Sequence, residues 1–459
     1  MGYAFTRDDV AYLGSAAGAA ALTEANHLDL TPKSLLRDLE QLRRAHGDRA
    51  AVLAETLRLR RRRAAAKLDA ATDWLFTDDA LQQATPTAVA RHRAERLTGR
   101  AVHDVTCSIG AELAELARVC PAVIGSDLDS VRLAMAAHNL GAALGNPRSD
   151  THTTGVAATG ERSDPGALSD AGAGTHGLAA TGRNSGAGGP SGAVADSRIL
   201  GALGSAARAA GSAARNVLLV KADALAPCSS AEVIIADPAR RADGRRTHDP
   251  AKLQPPLPDL LTAYAGRDLV VKCAPGMDFD KLGWAGEVEV TSLGGAVREA
   301  CLWSPGLAEA GVTRRATVLS STGKSWNITD AEPDDIPERE PGEWIIDPDG
   351  AVVRAGLVRH YGAKHGLWQL DPRIAYLTGD SVPEGVRGFR ILERMDFREK
   401  PLRAELHRRD CGPLEILTRG VDIDPDALRA RLKPRGTQPH TLVVTCIGRT
   451  ATVFICATP

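Results

Sequence analysis

Two short segments of the chain carry residues with the types and spacing of a nucleotide-binding site. Residues 104–110, Asp-Val-Thr-Cys-Ser-Ile-Gly, close on a glycine, and the apolar run at 123–127 closes on Asp127. A strand, a glycine turn, a helix and a second strand in this order form the front half of a doubly wound unit. The carboxylate that ends the second strand can accept hydrogen bonds from both ribose hydroxyls. The dinucleotide pattern Gly-x-Gly-x-x-Gly is absent from this segment.

The first segment resembles the cofactor turn of class I S-adenosylmethionine (SAM)-dependent methyltransferases, whose usual form is close to Asp-Leu-Gly-Cys-Gly-Ile-Gly-Gly-Asp. Here Thr106 and Ser108 replace two of those glycines, Ala111 replaces a third, and Glu112 replaces the final aspartate. The resemblance implies SAM as the cofactor. It places the cofactor among seven residues, namely Thr85, Asp104, Cys107, Gly110, Asp127, Asp223 and Ala224.

The resemblance also implies a role for each part of this set. Asp104 and Gly110 would flank the methionine end of SAM, and Asp127 would bind the ribose. Asp223 follows the third strand, where an acidic residue bonds the adenine amino group and the next backbone N–H, that of Ala224, bonds the ring. The alternatives are ordinary ones: Asp223 as a turn former, and Asp129 as the N-cap of the following helix.

Thr85 belongs to a Thr-Pro segment, residues 81–93, that precedes the first strand. It resembles the segment before the cofactor strand in several RNA-modifying methyltransferases, where a Thr-Pro turn and a helix cap the SAM pocket. The alternative is a helix that simply begins at proline.

The fourth strand ends in Asp237-Pro238-Ala239-Arg240. In methyltransferases that act on exocyclic amines this position holds Asn/Asp-Pro-Pro followed by an aromatic residue. The side chain and a backbone carbonyl accept the amine's protons, so that catalysis is mostly alignment and electrostatics. Asp237, Pro238 and Arg240 are therefore the candidate catalytic residues, with Arg240 stacking on a base or holding a phosphate in place of the missing aromatic. A plain Asp-Pro turn is the alternative.

The same Asp-Pro-Ala-Arg turn is similar to that of RNA 5-methyluridine methyltransferases. In 5-methylpyrimidine enzymes a cysteine after the next strand attacks C6 of the ring, and Cys273 is in a comparable place. A thiol that closes a buried strand is more often a small packing residue. Both interpretations of Cys273 stay open on the sequence.

The composition of the chain bears on nucleic-acid binding, metal binding and membrane insertion. The chain has 56 Lys and Arg against 57 Asp and Glu, so any RNA-binding surface must be local. The eight cysteines form no Cys-x-x-Cys pair and no zinc spacing, which predicts no metal and the reduced thiols of a cytoplasmic protein. No leader segment is evident, and no apolar run approaches the ~18 residues that span a membrane.

The chain divides into three predicted parts of an α/β protein. Residues 1–99 are predicted to be helical and include an arginine run at 58–63 that is either a solvated face or an RNA contact. Residues 100–310 match the seven-stranded Rossmann-like methyltransferase sheet. The stretch 145–214 has no Phe, Trp or Tyr and is predicted to be a disordered, low-complexity insertion. Residues 335–459 resemble a small α+β THUMP-like domain, and true THUMP domains bind RNA.

Together these features predict a cytoplasmic SAM-dependent methyltransferase that acts on a base of structured RNA, such as tRNA or rRNA. An exocyclic or ring nitrogen is the favoured target. The alternatives are a non-catalytic RNA-binding protein with a degenerate SAM fold, a small-molecule methyltransferase, and a 5-methylpyrimidine RNA methyltransferase that uses Cys273. The sequence leaves the oligomeric state and the RNA species open.

Overall fold

The structure is a computed structural model of the 459-residue chain. It describes residues 3–69, 71–145, 216–239, 241–242, 245–246, 249–320 and 325–458. Two predictions lie outside these residues: Arg240, and the insertion at 145–214 except for Gly145, which ends a helix.

The N-terminal region is helical, as the sequence predicts. Its helices are α1 (Arg7–Leu13), α2 (Ala16–Ala25), α3 (Leu35–His46), α4 (Ala50–Arg60), α5 (Asp78–Gln83) and α6 (Thr87–Arg96). Thr6 and Thr77 cap α1 and α5 by accepting backbone N–H groups, which satisfies donors that a helix start leaves open. The apolar sides of these helices pack with α7 (Ala111–Val119) and α8 (Ser130–Gly145) against one face of the central sheet.

The arginine run at 58–63, which begins in the last turn of α4, contributes to the N-terminal fold. Arg60 donates to the carbonyls of Trp74 and Asp73, and Arg61 donates to the carbonyls of Leu28 and Asn26. These side chains are therefore bound to loops of the same chain, while Arg61 itself is exposed.

The central sheet has nine strands within the described part of the chain. They are β1 (Ala101–Asp104), β2 (Ala122–Asp127), β3 (Val217–Lys221), β4 (Val233–Ala236), β7 (Asp268–Cys273), β8 (Glu287–Leu293), β9 (Ala296–Trp303), β10 (Arg314–Leu319) and β11 (Trp326–Thr329). The two-residue strands β5 (Arg241–Ala242) and β6 (Arg245–Arg246) form a separate ribbon.

The strand order is β3-β2-β1-β4-β7-β9-β8, followed by β10 and β11. The first five strands run parallel, and β9 lies antiparallel between β7 and β8. This is the predicted seven-stranded arrangement with an antiparallel final strand. Two further strands, β10 and β11, extend the same sheet beyond the predicted seven. The predicted boundary at residue 310 thus falls inside the sheet, between β9 and β10.

Helices α9 (Leu257–Ala263) and α10 (Phe279–Leu282) connect strands of this sheet. Beyond it, α11 (Gly350–Ala355) and α12 (Val358–His365) follow each other closely in the chain. Gly356 divides them, because it ends α11 with a left-handed φ of 78°.

The C-terminal sheet has the order β13-β14-β12-β15-β18-β17-β16. Its strands are β12 (Trp344–Asp347), β13 (Trp368–Gln369), β14 (Leu377–Gly379), β15 (Arg387–Asp396), β16 (Cys411–Arg419), β17 (Gln438–Ile447) and β18 (Thr450–Ala457). Helices α13 (Glu399–Arg408) and α14 (Pro425–Leu432) cover one face of β16–β18.

One apolar cluster joins the two sheets. Val288, Val290 and Ala316 of the central sheet share it with Val352 of α11 and Tyr361 of α12. Helix α11 contacts β8 and β10 directly. The segment that leads into the C-terminal sheet is therefore part of the core of the central sheet.

Charged side chains, in contrast, hold α6 on β8 and β9. His92 and Arg96 contact Glu289, whose carboxylate also accepts hydrogen bonds from Thr317 and from Trp303. Arg96 additionally pairs with Glu287 at 2.7 Å. Burial opposes ionisation of Glu289, but His92 and Arg96 hold its pKa below the ordinary value. Since both glutamates are almost fully buried, removing a partner would leave an uncompensated charge.

Candidate functional site

A cavity of about 360 Å³ opens at the carboxyl ends of β1, β2 and β4. The strand order reverses between β1 and β4, and such a switch point is where open α/β sheets bind ligands. Six of the seven predicted cofactor residues line this cavity, and the seventh, Gly110, starts the helix that follows the turn after β1. The six are Thr85, Asp104, Cys107, Asp127, Asp223 and Ala224.

The turn after β1 has the shape that the family's glycines would favour. Ser108 has a φ of 49° and Gly110 a φ of 80°, both in the left-handed region. Ser108 is held there because its backbone N–H donates to Asp127 Oδ2 at 3.0 Å. A Cβ atom on Gly110 would lie 3.2 Å from the Cβ of Ala136, so this position also has little room for a side chain. The turn is therefore formed although three glycines of the usual pattern are replaced.

The two aspartates after β2 have different surroundings. Asp127 faces the cavity, and its Oδ1 accepts the Asp129 N–H at 2.8 Å. Asp129 accepts the N–H groups of Val131 and Arg132, which caps α8. The neighbouring Leu128 is 62% exposed and lines the same cavity, where it offers an apolar surface to a ligand.

The loop after β3 contributes to another part of the wall. Asp223 is exposed, and its Oδ1 accepts the Leu225 N–H at 2.9 Å. Ala224 is buried, and its carbonyl accepts the hydroxyl of Tyr264 at 2.9 Å. Asp223 thus forms a turn and still lines the cavity, so the two roles do not exclude each other.

Asp104 is almost completely buried beneath the turn. Burial raises its pKa to about 8, although the Thr106 N–H donates to its Oδ1 at 3.0 Å and lowers it. The nearby carboxylates of Glu112, Asp237 and Asp127 contribute to this rise in the pKa. The Asp104 carboxyl therefore holds a proton near neutral pH.

Arg93 and Glu112 form a buried pair at the cavity wall. Arg93 contacts Glu112 Oε2 at 2.5 Å and also Glu299. The other carboxylate oxygen, Oε1 of Glu112, has no hydrogen-bond partner among the described residues, although Glu112 is only 8% exposed. Glu112 lines the cavity, and a carboxylate oxygen without a partner is suited to a cationic group of a ligand.

Lys272 is the site residue that the sequence analysis missed. Its Nζ lies 2.5 Å from Asp237 Oδ2 and 2.9 Å from Thr85 Oγ1, and its side chain is only 7% exposed. The backbone N–H of Asp237 donates to Thr106 Oγ1 at 2.7 Å. The signal in the sequence is a single lysine inside the otherwise apolar run of β7, which a buried strand rarely carries without a partner.

A second cavity, of about 520 Å³, lies on the other side of Asp237 and Lys272. Pro238 lines it, and so do two further basic residues, Lys67 and Arg298. Burial and, to a smaller extent, the charges of Lys272 and Arg298 lower the pKa of Lys67 to about 8. Asp237, Lys272 and Thr85 line both cavities, so the two spaces meet at these side chains.

Cys273 lies away from this junction. It follows Lys272 on β7 and so faces the other side of the sheet, where it is 1% exposed in an apolar cluster. Burial among such neighbours is typical of a packing residue. Among the described residues that line the two cavities, Cys273 is not present.

Comparisons with known proteins extend these observations. Two proteins of Mycobacterium tuberculosis, from strains CDC 1551 and H37Rv, are each 47% identical over 428 residues, which cover 90% of this chain and 99% of theirs. Both are described as uncharacterized S-adenosylmethionine-dependent methyltransferases. A family model described as THUMP domain-like matches residues 386–458, and a domain of unknown function matches residues 6–64.

The fold has a solved counterpart. A crystal structure assigned to a methyltransferase of Porphyromonas gingivalis W83 covers 95% of this chain and 96% of its own, with a TM-score of 0.62 and 18% identity. At this identity the likeness concerns the fold alone. No helix in the described ranges is long and apolar enough to cross a membrane.

Proposed function

The chain belongs to the SAM-dependent methyltransferases, and on that premise we propose that it methylates a nitrogen of a base in structured RNA. The observation that carries the proposal is the meeting of two cavities at Asp237, one of them bordered by basic side chains. SAM, when bound, supplies a methyl group on a positively charged sulfur.

The residues of the first cavity fit this cofactor. Asp127 offers carboxylate oxygens to the ribose hydroxyls, since each oxygen accepts one backbone N–H and keeps a lone pair. The unpaired oxygen of Glu112 suits the methionine ammonium, and Arg93 beside it suits the carboxylate. Asp223 and the backbone N–H of Ala224 would bind the adenine edge.

Asp237 and Pro238 would orient the acceptor. Asp237 lies at the junction of the cavities, and Pro238 lines only the outer one, the cavity of about 520 Å³. A carboxylate and a backbone carbonyl at this point can accept the hydrogens of a base nitrogen and direct its lone pair toward the first cavity. The position of Cys273 on the opposite face supports nitrogen over C5 of a pyrimidine.

An RNA substrate is supported by charge and by the C-terminal region. Lys67, Arg298 and Lys272 place three basic groups around the outer cavity, where a phosphate backbone would approach. The match at 386–458 is to a THUMP-like domain, and THUMP domains bind RNA. A C-terminal sheet packed firmly on the catalytic region would let the enzyme recognise the shape of a double-stranded RNA segment.

The test is methyl transfer from labelled SAM to total RNA taken from cells that lack this protein. We expect label in RNA with the wild-type protein and none with Asp237→Ala, while calorimetry shows similar SAM affinity for both. Asp259→Ala, an exposed position on α9, is the control variant. Label in a small-molecule fraction and none in RNA would refute the proposal, as would SAM binding without any transfer.

A further inference from the structure

The ammonium of Lys272 stands where the acceptor nitrogen would meet the cofactor. It is fixed by Asp237 Oδ2 at 2.5 Å and by Thr85 Oγ1 at 2.9 Å, with Glu299 Oε2 at 3.8 Å. Its side chain is 7% exposed, so water screens its charge little. The acceptor must therefore react beside a positive charge.

The positive charge of Lys272 favours methylation of some kinds of base nitrogen and disfavours others. An exocyclic amine becomes cationic as its nitrogen forms a fourth bond, and so does a ring nitrogen that carries no hydrogen. A neighbouring ammonium opposes both. A ring N–H next to a carbonyl behaves in the opposite way, because loss of its proton places negative charge on the carbonyl oxygen. A preorganised cation stabilises charge of that sign.

Resting on the function proposed above, we propose that the target is a ring N–H flanked by a carbonyl, as at N1 of guanine or N3 of uracil, and that Lys272 selects it. Asp237 accepts the ring proton, and the ring nitrogen forms a bond to the methyl carbon. The carbon–sulfur bond breaks, and its electron pair goes to the sulfur. Lys272 keeps its proton and donates a hydrogen bond to the carbonyl oxygen throughout.

The carboxylate of Asp237 and the ammonium of Lys272 lie next to each other, as the ring N–H and the adjacent carbonyl do on the edge of the base. Asp237 presents an acceptor to the N–H, and Lys272 presents a donor to the adjacent carbonyl. The hydroxyl oxygen of Thr85 accepts another hydrogen bond from Lys272 and so fixes its position. Lys272 then exchanges its bond to Asp237 for the bond to the substrate. Asp237 is thereby left to take the ring proton.

The first test identifies the labelled nucleoside in the RNA by chromatography and mass spectrometry. N1-methylguanosine, N3-methyluridine or a comparable lactam product supports the inference. N6-methyladenosine, N4-methylcytidine, N2-methylguanosine or a nucleoside methylated on a hydrogen-free ring nitrogen overturns it and leaves the proposed function standing. Label absent from RNA overturns both.

The second test asks whether Lys272 acts on the charge of the substrate. Lys272→Met should lower kcat about ten- to a hundredfold, the range for hydrogen bonds to charged groups, with SAM affinity nearly kept. The loss should shrink as the pH is raised toward the pKa of the base itself, because the ring nitrogen then ionises without help. Lys272→Arg should retain most of the activity.

Lys281→Met, at an exposed position on α10, is the matched control. A loss in Lys272→Met that is the same at every pH, or an activity equal to that of the wild type, would overturn the role of Lys272. If Lys272→Met does not fold, the identity of the nucleoside and the pH profile of Lys272→Arg still decide the question.

Discussion

Replacing Asp104 with asparagine should change how the stability of the protein depends on pH. The pKa of the buried carboxyl is raised from an ordinary value of 3.8 to about 8. The folded chain therefore binds this proton more tightly than the unfolded chain does. Between these two values the folded state holds more protons, so the free energy of unfolding falls as the pH rises from about 4 to about 8.

The size of the effect follows from the shift. Each pKa unit corresponds to about 1.4 kcal/mol, so a shift of about four units gives an upper limit of about 6 kcal/mol. Relaxation of the surroundings reduces this value, and we expect about 3 kcal/mol. An asparagine side chain would keep an acceptor oxygen for the Thr106 N–H but would not ionise. Asp104→Asn should thus gain in stability relative to wild type as the pH rises above about 4, and should be more stable than wild type by about 3 kcal/mol at pH 9.

Urea unfolding of both proteins at several pH values measures this difference directly. Asp259→Asn, on the exposed side of α9, shows the effect of removing a surface aspartate under the same conditions. A difference between Asp104→Asn and wild type that stays constant from pH 5 to pH 9 would refute the reasoning. It would mean that Asp104 has no raised pKa in the folded protein.

Three further outcomes are expected. Asp127→Ala should weaken SAM binding at least roughly tenfold by calorimetry. Asp129→Ala should leave the affinity nearly unchanged and cost about 1 kcal/mol of stability, because the α8 cap is lost. Equal losses of affinity in the two variants would contradict this assignment. Glu289→Gln should destabilise the fold by about 3 kcal/mol in urea unfolding, because it removes a buried charge that pairs with Arg96, while Glu340→Gln, at an exposed pair with Arg394, should cost under about 1 kcal/mol. Glu112→Gln should weaken SAM more than it weakens an analogue without the amino group, and an equal effect on both ligands would show that Glu112 does not contact the ammonium.

The sequence predicted the parallel part of the sheet because five short apolar runs alternate with helices. The runs at 101–105, 122–126, 217–220, 232–236 and 268–272 correspond to β1, β2, β3, β4 and β7. The hairpin around Gly294 and Gly295 also matches β8 and β9. Strand β10 was missed because its run begins with Arg314 and Arg315, and Arg315 is buried only through its pairing with Glu287.

The site residues that directly follow strands could be predicted from the sequence. The contacts between segments that are far apart in the sequence could not. Asp127 and Asp237 end strands of a recognisable unit, so their place at one edge of the sheet follows from topology. The role of Lys272 depends on Thr85, which lies 187 residues away in the sequence. The docking of α6 depends in the same way on glutamates about 190 residues further along. No spacing in the sequence indicates which charges will pair at that distance.

The apolar cluster that joins the two sheets has a consequence for cooperativity. Removing the chain beyond β11 would uncover the faces of β8 and β10 that α11 covers, and removing the chain before it would strip α11 of its support. The catalytic region and the C-terminal sheet should therefore melt in one calorimetric transition and resist separate expression. A sheet anchored in this way keeps a fixed position relative to the central sheet. The distance from its surface to Asp237 should therefore be constant, and a substrate that contacts both would have to match that distance.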